Sequence, residues 1–301
     1  MKPSIQGIIP ATITPMHPNG EINYGFIPDQ VAYLKESGVS ALFINGTTGE
    51  FASLTMQERI KLAEAYQKIA EHVLPIIIHV GHNCILDAQQ LTVHASQIGA
   101  AAVSFAPPSY FKLDDVNTLI KVCDKIMAKT PHMPFYYYHI PSITGVYISI
   151  KDFLIQADRQ LPQLAGIKYT FEQIDTFLDC QLSFPERFTM MFGRDEMMLM
   201  GLVSGAKTFV GSTYNFAAPL YLKIQKAFKE NDLETAQKLQ HKVIQLIHIL
   251  NQHGGGIRFG KIVMKLMNMD CGPVRLPLAS FDESELDQVK QSLTEIGFFQ
   301  W

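Results

Sequence analysis

Short apolar runs alternate along the chain with longer stretches in which apolar residues recur every three or four positions. The short runs are rich in Ile, Val, Phe and Tyr, as expected of strands that are buried on both faces. The longer stretches have helical spacing. For the stretch that begins after Thr55, either Ser53 or Thr55 can cap the N-terminus of the helix, with Glu58 in the first turn. The pattern predicts strands at 7–14, 41–45, 75–80, 101–107, 134–140, 164–170, 188–193 and 208–213.

These strands and helices predict a barrel. The eight β/α units recur every 25–35 residues or so, with no Pro/Gly/Ser-rich linker between them, which favours an α/β fold of the (β/α)8 TIM barrel type over a doubly wound open sheet. We expect residues 1–230 to form the catalytic barrel and residues 231–301 to form a C-terminal helical extension. This extension has no strand pattern, and we expect it to pack on the barrel or on a neighbouring subunit. Its helices are predicted at 232–252, near 257–268 and at 283–295.

Composition and charge narrow the classes of function. The chain has 301 residues, is 47% apolar and carries a net charge of −3, with no run of five like charges, so we expect no nucleic-acid partner. No apolar run reaches the roughly 18 residues of a membrane helix, and the first 15 residues do not resemble a targeting peptide. Four widely spaced cysteines predict free thiols in a reducing cytoplasm: Cys84, Cys123, Cys180 and Cys271.

The most informative single residue is Lys168, which lies in the apolar run LAGIKYT (164–170). Burying an ammonium is costly, so this lysine is either a snorkelling or ion-paired residue at a strand end or a functional group. A desolvated, neutral amine can attack a ketone and form a Schiff base, whose iminium withdraws electrons from the adjacent carbon. That chemistry permits aldol cleavage without a metal, and Thr170 would point to the same side as Lys168.

Other polar residues follow neighbouring strands, where barrel enzymes place their chemistry. NGTTGE (45–50) either binds a carboxylate through backbone N–H groups and hydroxyls or forms an ordinary Gly-rich turn. In FYYYH, Tyr136 and Tyr138 share one face, where a phenol either relays protons or joins an aromatic core. Asp195 and Glu196 either present acceptor oxygens to a polyol or form a charge pair at a helix start.

Two motifs suggest sites that we do not expect to exist. His79 and His82 lack a third ligand at a plausible spacing, so the sequence predicts no metal site. HGGG (253–256) resembles an oxyanion motif, but no G-x-S-x-G accompanies it, and we interpret it as a connector between helices.

Four motifs, taken together, resemble those of the N-acetylneuraminate lyase/dihydrodipicolinate synthase family. They are G-T-T-G-E after strand 2, Y-x-I-P-x-x-T-G after strand 5, G-x-K-x-T in strand 6 and G-S-T-Y-N after strand 8. Their order and spacing match from Gly7 to the C-terminal helices. PFYYYHIPSITGV and GRDE look most like the N-acetylneuraminate lyase branch of that family.

The resemblance implies a class I pyruvate aldolase that uses no cofactor and no metal and is usually a homotetramer. Its substrates would be sialic acid, pyruvate and N-acetylmannosamine. Lys168 would form the Schiff base, Tyr138 would relay protons, and Thr47 would bind the carboxylate and join the relay. Tyr110 would reach a neighbouring subunit's site, although PPSYF departs from the commoner P-x-Y-Y. The substrate-binding residues would be Gly46, Thr48, Thr170, Gly193, Asp195, Glu196 and Ser212.

Three alternatives remain at this point. Dihydrodipicolinate synthases typically carry an Arg after the strand 5 Tyr, where this chain has the apolar Ile143, which cannot replace a bidentate guanidinium. A keto-deoxy sugar acid aldolase is the second alternative. The third is a barrel that binds pyruvate or sialic acid without turnover, against which the Lys–Tyr–Thr set argues, since binding requires no buried amine.

Overall fold

Eight parallel strands form the centre of the molecule. The computed structural model describes residues 5–301. In the sheet, the first and second strands of the chain lie at the two ends, and the eighth to the third lie between them in descending order. A parallel bridge between Ala11 and Phe43 connects the two ends of this sheet, so the barrel is nearly closed. All eight predicted strands are confirmed: β1 Gly7–Pro10, β2 Leu42–Ile44, β3 Ile76–His79, β4 Ala102–Phe105, β5 Phe135–His139, β6 Leu164–Tyr169, β7 Thr189–Phe192 and β8 Thr208–Gly211.

Helices follow the strands as predicted. Thr55 rather than Ser53 caps the helix Met56–Ala70 (α2), in a capping box with Glu58. Short 3-10 turns lie at Tyr24–Phe26, Phe51–Ser53, Asp195–Met197 and Phe298–Gln300. The α-helices are α1 Ile27–Glu36, α2 Met56–Ala70, α3 Ile85–Gln97, α4 Val116–Met127, α5 Pro141–Thr144, α6 Ile150–Gln160, α7 Ile174–Ser183, α8 Met198–Val203, α9 Tyr214–Lys229, α10 Leu233–Gln252, α11 Gly255–Leu266 and α12 Glu283–Glu295.

The strands separate two hydrophobic cores. The inner core fills the barrel and includes Phe43, Tyr136 and Tyr138, whereas the outer core lies between strands and helices and includes Tyr137. The predicted alternation of the three tyrosines is therefore confirmed. Since inward positions of a barrel strand reach the cavity at its C-terminal end, Tyr138 is the tyrosine placed to meet a ligand.

An irregularity in β6 determines where Lys168 lies. Phe135 pairs with Leu164, but Tyr136 pairs with Gly166, so Ala165 is an extra residue in β6. A Cβ at Gly166 would lie 1.9 Å from the backbone oxygen of the neighbouring Thr189, so only glycine fits. Beyond this bulge, Lys168 pairs directly with Tyr138 on the adjacent strand.

The C-terminal extension contacts the last helix of the barrel. Helices α10 and α11 contact α9, and Phe259 of α11 meets Phe216 of α9 with ring centroids 6.1 Å apart. The division at residues 230 and 231 stays a prediction, because the outer core is continuous across it. Residues 1–4 of the predicted barrel domain lie outside the described residues. Within residues 5–301, no helix is long and apolar enough to cross a membrane.

Candidate active site

A cavity of about 500 Å³ opens at the C-terminal end of the barrel. Its wall is built from βα loops and from the C-terminal extension. It brings together nine of the eleven predicted site residues: Thr47, Thr48, Tyr138, Lys168, Thr170, Gly193, Asp195, Glu196 and Ser212.

Lys168 is buried at the floor of this cavity. The residue is only 3% exposed, which rules out a snorkelling side chain. Its Nζ lies 3.7 Å from the ring centroid of Tyr138 and 4.3 Å from that of Phe43. Aromatic faces stabilise an ammonium by cation–π attraction, so the lysine can be held here until a ketone reacts with it.

Tyr138 is fixed by the rings around it. Phe43 and His79 both meet it edge to face, with centroids 6.1 and 6.0 Å away. Burial, reinforced by the charges of Arg59 and Lys168, holds the pKa of His79 well below its ordinary value, so this imidazole is neutral. Its Nε2 accepts the N–H of Ala106. In residues 5–301, His79 belongs to no group of three or more His, Cys, Asp or Glu side chains that could hold a metal.

The loop after β2 brings Thr47 and Thr48 to the cavity but leaves Gly46 behind it. Gly46 does not line the wall, and a Cβ there would lie 2.7 Å from the Phe43 ring. The glycine therefore makes room for the ring that covers Lys168, and a direct contact of Gly46 with a ligand stays a prediction. The loop is fixed at Gly49, whose carbonyl accepts the Thr14 hydroxyl at 2.7 Å.

The two adjacent carboxylates occupy different environments. Asp195 is 5% exposed, and its Oδ2 accepts the N–H of Thr213 at 2.9 Å and the Thr213 hydroxyl at 2.6 Å. Burial raises the pKa of Asp195 to about 6, although the Thr213 bonds oppose this. Its Oδ1 is buried and has no hydrogen-bond partner among the described residues. Asp195 is therefore tied to the protein through one oxygen, and its part in binding a polyol stays a prediction.

Glu196 is more accessible and is paired with a residue that the sequence analysis missed. Nη2 of Arg194 lies 2.8 Å from Glu196 Oε1 and 2.9 Å from Glu172 Oε1, and the Arg194 side chain is 26% exposed. Arg194 also lines the cavity. The sequence could have indicated this role of Arg194, because the arginine directly precedes the acidic pair and a cation beside a carboxylate orients that carboxylate.

Position 193 requires a glycine because of the neighbouring Thr170. A Cβ there would lie 2.1 Å from the hydroxyl of Thr170, so a side chain would displace Thr170. Gly193 thus keeps Thr170 in the cavity wall, two residues beyond Lys168.

Tyr110 does not reach the cavity of its own chain. The residue is 79% exposed and its ring meets that of Phe111, which is 83% exposed. The N–H of Tyr110 is bonded to Asn83 Oδ1 at 3.2 Å. The phenol is therefore available to another molecule and not to Lys168 of the same chain.

The C-terminal extension supplies part of the wall, which the sequence did not indicate. Of HGGG, only His253 and Gly254 connect α10 and α11, whereas Gly255 and Gly256 begin α11. All three glycines line the cavity, and a Cβ at Gly256 would lie 3.2 Å from Ser212 Oγ. Three consecutive glycines where a helix approaches a strand end were the available signal. The other lining residues of the extension are Ile247, Leu250, Asn251, Ile257 and Leu278.

Comparisons with known proteins agree with this geometry. The N-acetylneuraminate lyase of Rattus norvegicus is 36% identical over all of this chain and 95% of its own. The structure of Proteus mirabilis N-acetylneuraminate lyase matches with a TM-score of 0.94 and 33% identity, covering 97% of this chain and 99% of its own. A Ruminococcus gnavus sialic acid aldolase, solved as a catalytic lysine mutant, matches with a TM-score of 0.92 and 26% identity. The match covers 98% of this chain and 96% of the aldolase chain.

The model of the dihydrodipicolinate synthetase family matches residues 4–296, which is nearly the whole chain. The strands, the cavity and the motifs that carried the resemblance all lie within this range. The chain belongs to the dihydrodipicolinate synthetase family.

Proposed function

We propose that this chain is a Schiff-base lyase that cleaves N-acetylneuraminate reversibly to N-acetylmannosamine and pyruvate. The observation that carries the proposal is the buried Lys168, whose Nζ lies 3.7 Å from the ring centroid of Tyr138 at the floor of a barrel cavity. The lyases to which the chain is similar over its full length give the substrate, and the related aldolase with a catalytic lysine supports the covalent mechanism.

The first step is binding and imine formation. Thr47 and Thr48 lie on the same wall as Lys168 and offer hydroxyl and backbone donors to the C1 carboxylate of the open-chain sugar acid. Once the Lys168 ammonium has given up a proton, its amine attacks the C2 ketone, and return of that proton with loss of water gives an iminium. The carboxylate must bind before the imine forms, because the bound carboxylate directs C2 toward the nitrogen of Lys168.

The second step is cleavage of the C3–C4 bond. Tyr138, or the substrate carboxylate beside it, accepts the proton of the C4 hydroxyl, and the C3–C4 electron pair moves into the iminium to give an enamine. N-acetylmannosamine leaves as the aldehyde. Protonation of the enamine at C3 and hydrolysis of the imine then release pyruvate and restore Lys168. No electron is gained or lost, so no redox cofactor is required.

Polar residues that follow β7 and β8 suit a polyol tail. Glu196 and Ser212 line the cavity there, and both can accept hydrogen bonds from hydroxyl groups. Arg194 holds the Glu196 carboxylate in place from one side. Asp195 contributes through its contact with Thr213, the residue next to Ser212, whereas its Oδ1 is buried.

Two alternatives within the family fit less well. A dihydrodipicolinate synthase needs a cation for a second carboxylate, whereas Ile143 lines the cavity at that position and is 60% exposed. A keto-deoxy sugar acid aldolase would use the same floor, and the relatives named above favour sialic acid. A barrel that only binds its ligand would not require the buried lysine beside a phenol.

The assembly and the compartment belong to this proposal as well. We propose a homotetramer in which the exposed Tyr110 of one subunit reaches the cavity of its neighbour, in the cytoplasm. The high exposure of Tyr110 and Phe111 in the single chain supports a role for this loop in contacts between subunits.

Incubation of the purified protein with N-acetylneuraminate, followed by an assay for pyruvate, tests this function. We expect pyruvate and N-acetylmannosamine in equal amounts from the wild type and none from Lys168→Arg, because a guanidinium stays protonated. Absence of both products from the wild type would contradict the proposal.

A further inference from the structure

The loop that carries Thr47 and Thr48 begins and ends in left-handed backbone. Asn45 has φ of +57° and Glu50 has φ of +58°, a region that residues with a Cβ rarely adopt. Such a conformation costs free energy and persists only where the surroundings over-determine it. The side chains of these two residues show what holds the loop.

Both ends of the loop are tied to the rest of the molecule through their side chains. At the first end, the Asn45 amide donates to the backbone carbonyl of Arg59 at 2.9 Å. At the second end, Glu50 Oε1 lies 2.7 Å from Lys261 Nζ, and Glu50 Oε2 accepts the N–H of Arg275 at 2.8 Å. Lys261 and Arg275 both belong to the C-terminal extension, so a single carboxylate binds the extension twice.

The Glu50–Lys261 ion pair is fully enclosed. Both side chains are 0% exposed, and Lys261 Nζ donates further to the carbonyl of Pro273. Taking two charges out of water costs so much that replacing such a pair by apolar residues is often neutral or stabilising. Stability alone is therefore a weak reason for this pair, and its place beneath the Thr47–Thr48 loop points to control of the loop's conformation.

We propose that Lys261 is a positioning residue: through its buried ion pair with Glu50, the C-terminal extension sets the Thr47–Thr48 loop in the conformation that binds the carboxylate of the keto acid. The inference rests on the proposed function, in which that loop holds the carboxylate while Lys168 forms the imine. Neither Glu50 nor Lys261 lines the cavity, so both act through the loop.

A specific consequence follows for ketones with and without a carboxylate. Pyruvate needs both the loop and Lys168, whereas acetone needs only the amine and space for a small ketone. Loosening the loop therefore weakens the reaction with pyruvate and leaves the reaction with acetone unchanged. A general loss of packing would affect both ketones alike.

The test is borohydride trapping with each ketone in the double variant Glu50→Gln/Lys261→Met, which removes both charges and leaves neither unpaired. The matched control is Glu234→Gln/Lys238→Met, an ion pair of the same extension whose side chains are 78% and 71% exposed. We expect the pyruvate concentration for half-maximal trapping to rise about tenfold or more in the buried variant, as for a lost hydrogen bond to a charged group. Acetone trapping and the exposed control should match the wild type. In cleavage assays, KM should rise more than kcat falls.

The outcomes separate this inference from the proposed function. A folded buried variant with an unchanged ratio of pyruvate to acetone trapping overturns the inference, as does an equal loss for both ketones. Should the double variant not fold, Glu50→Asp keeps the charge but shortens its reach, and it must show the same pyruvate-specific weakening. If the wild type is trapped by neither ketone, the proposed function fails and the inference with it.

Discussion

Lys168 and Tyr138 face each other across β5 and β6, with the lysine Nζ 3.7 Å from the centre of the phenol ring. The contact is made through the ring face, so it does not depend on the hydroxyl group. One side chain therefore has two separable parts: a ring that holds the amine and a hydroxyl that can move a proton.

Tyr138→Phe separates these two parts. The ring stays, so we expect trapping of pyruvate on Lys168 to remain near the wild-type level. The hydroxyl is lost, and since a general acid–base group contributes about 10²–10⁴-fold, kcat for cleavage of N-acetylneuraminate should fall by that factor. Single-turnover kinetics measure both steps, and near wild-type cleavage would assign the relay to another group.

Glu196→Ala tests the polyol wall. Removing the acceptor of a buried hydroxyl costs about 1–3 kcal/mol, so kcat/KM for N-acetylneuraminate should fall roughly 5- to 150-fold. Short 2-keto-4-hydroxy acids lack the tail and should react as before. Glu172→Ala is the matched control, because Glu172 shares Arg194 with Glu196 but does not line the cavity. An equal loss for both substrates would mean that Glu196 acts on the fold and not on the tail.

Asp195 should make the stability of the protein depend on pH. Its pKa rises from 3.8 to about 6 on folding because of burial, so between these values the folded state binds more protons than the unfolded state. The free energy of unfolding contributed by this group therefore falls as pH rises through this window, by on the order of 3 kcal/mol in total.

Asp195→Asn removes that dependence while keeping the shape of the side chain and an acceptor for Thr213. We expect urea denaturation to show the variant gaining stability relative to the wild type from pH 4 to pH 7. A difference between the two proteins that stays constant across this range would mean that Asp195 does not titrate as the structure indicates.

Tyr110→Phe tests whether the exposed phenol serves a neighbouring subunit. The variant alone should lose activity, and so should Lys168→Arg alone. Subunits of the two variants, unfolded together and refolded, should regain part of the activity, because some sites then combine an intact Lys168 with a neighbour's intact Tyr110. Absence of activity in the mixture, with mixed oligomers present by mass spectrometry, would exclude the shared site.

The sequence predicted the strands well because their signal is local. Runs such as PIIIHV and LAGIKYT are apolar and bounded by turns, and the alternation of Tyr136, Tyr137 and Tyr138 follows from the period of a strand. Most of the polar lining residues at the strand ends were found for the same reason, since they lie close to the end of a strand, but Arg194 was missed.

What the sequence could not supply depends on distant parts of the chain. The wall contributed by Asn251 and Leu278 requires knowledge of how the extension packs, and the Glu50–Lys261 pair joins residues more than 200 positions apart. The different environments of Asp195 and Glu196 also depend on Thr213, 18 residues later in sequence. Residue type alone does not distinguish the environments of the two carboxylates.

Borohydride reduction in the presence of pyruvate, followed by peptide mass spectrometry, tests the central claim most directly. The account predicts that activity is lost and that one reduced pyruvate adduct is found, on Lys168, the buried lysine whose Nζ faces Tyr138 and Phe43. Lys261, which is equally buried but outside the cavity, serves as an internal control and should stay unmodified. An adduct on any other lysine, or the absence of an adduct, would contradict the account.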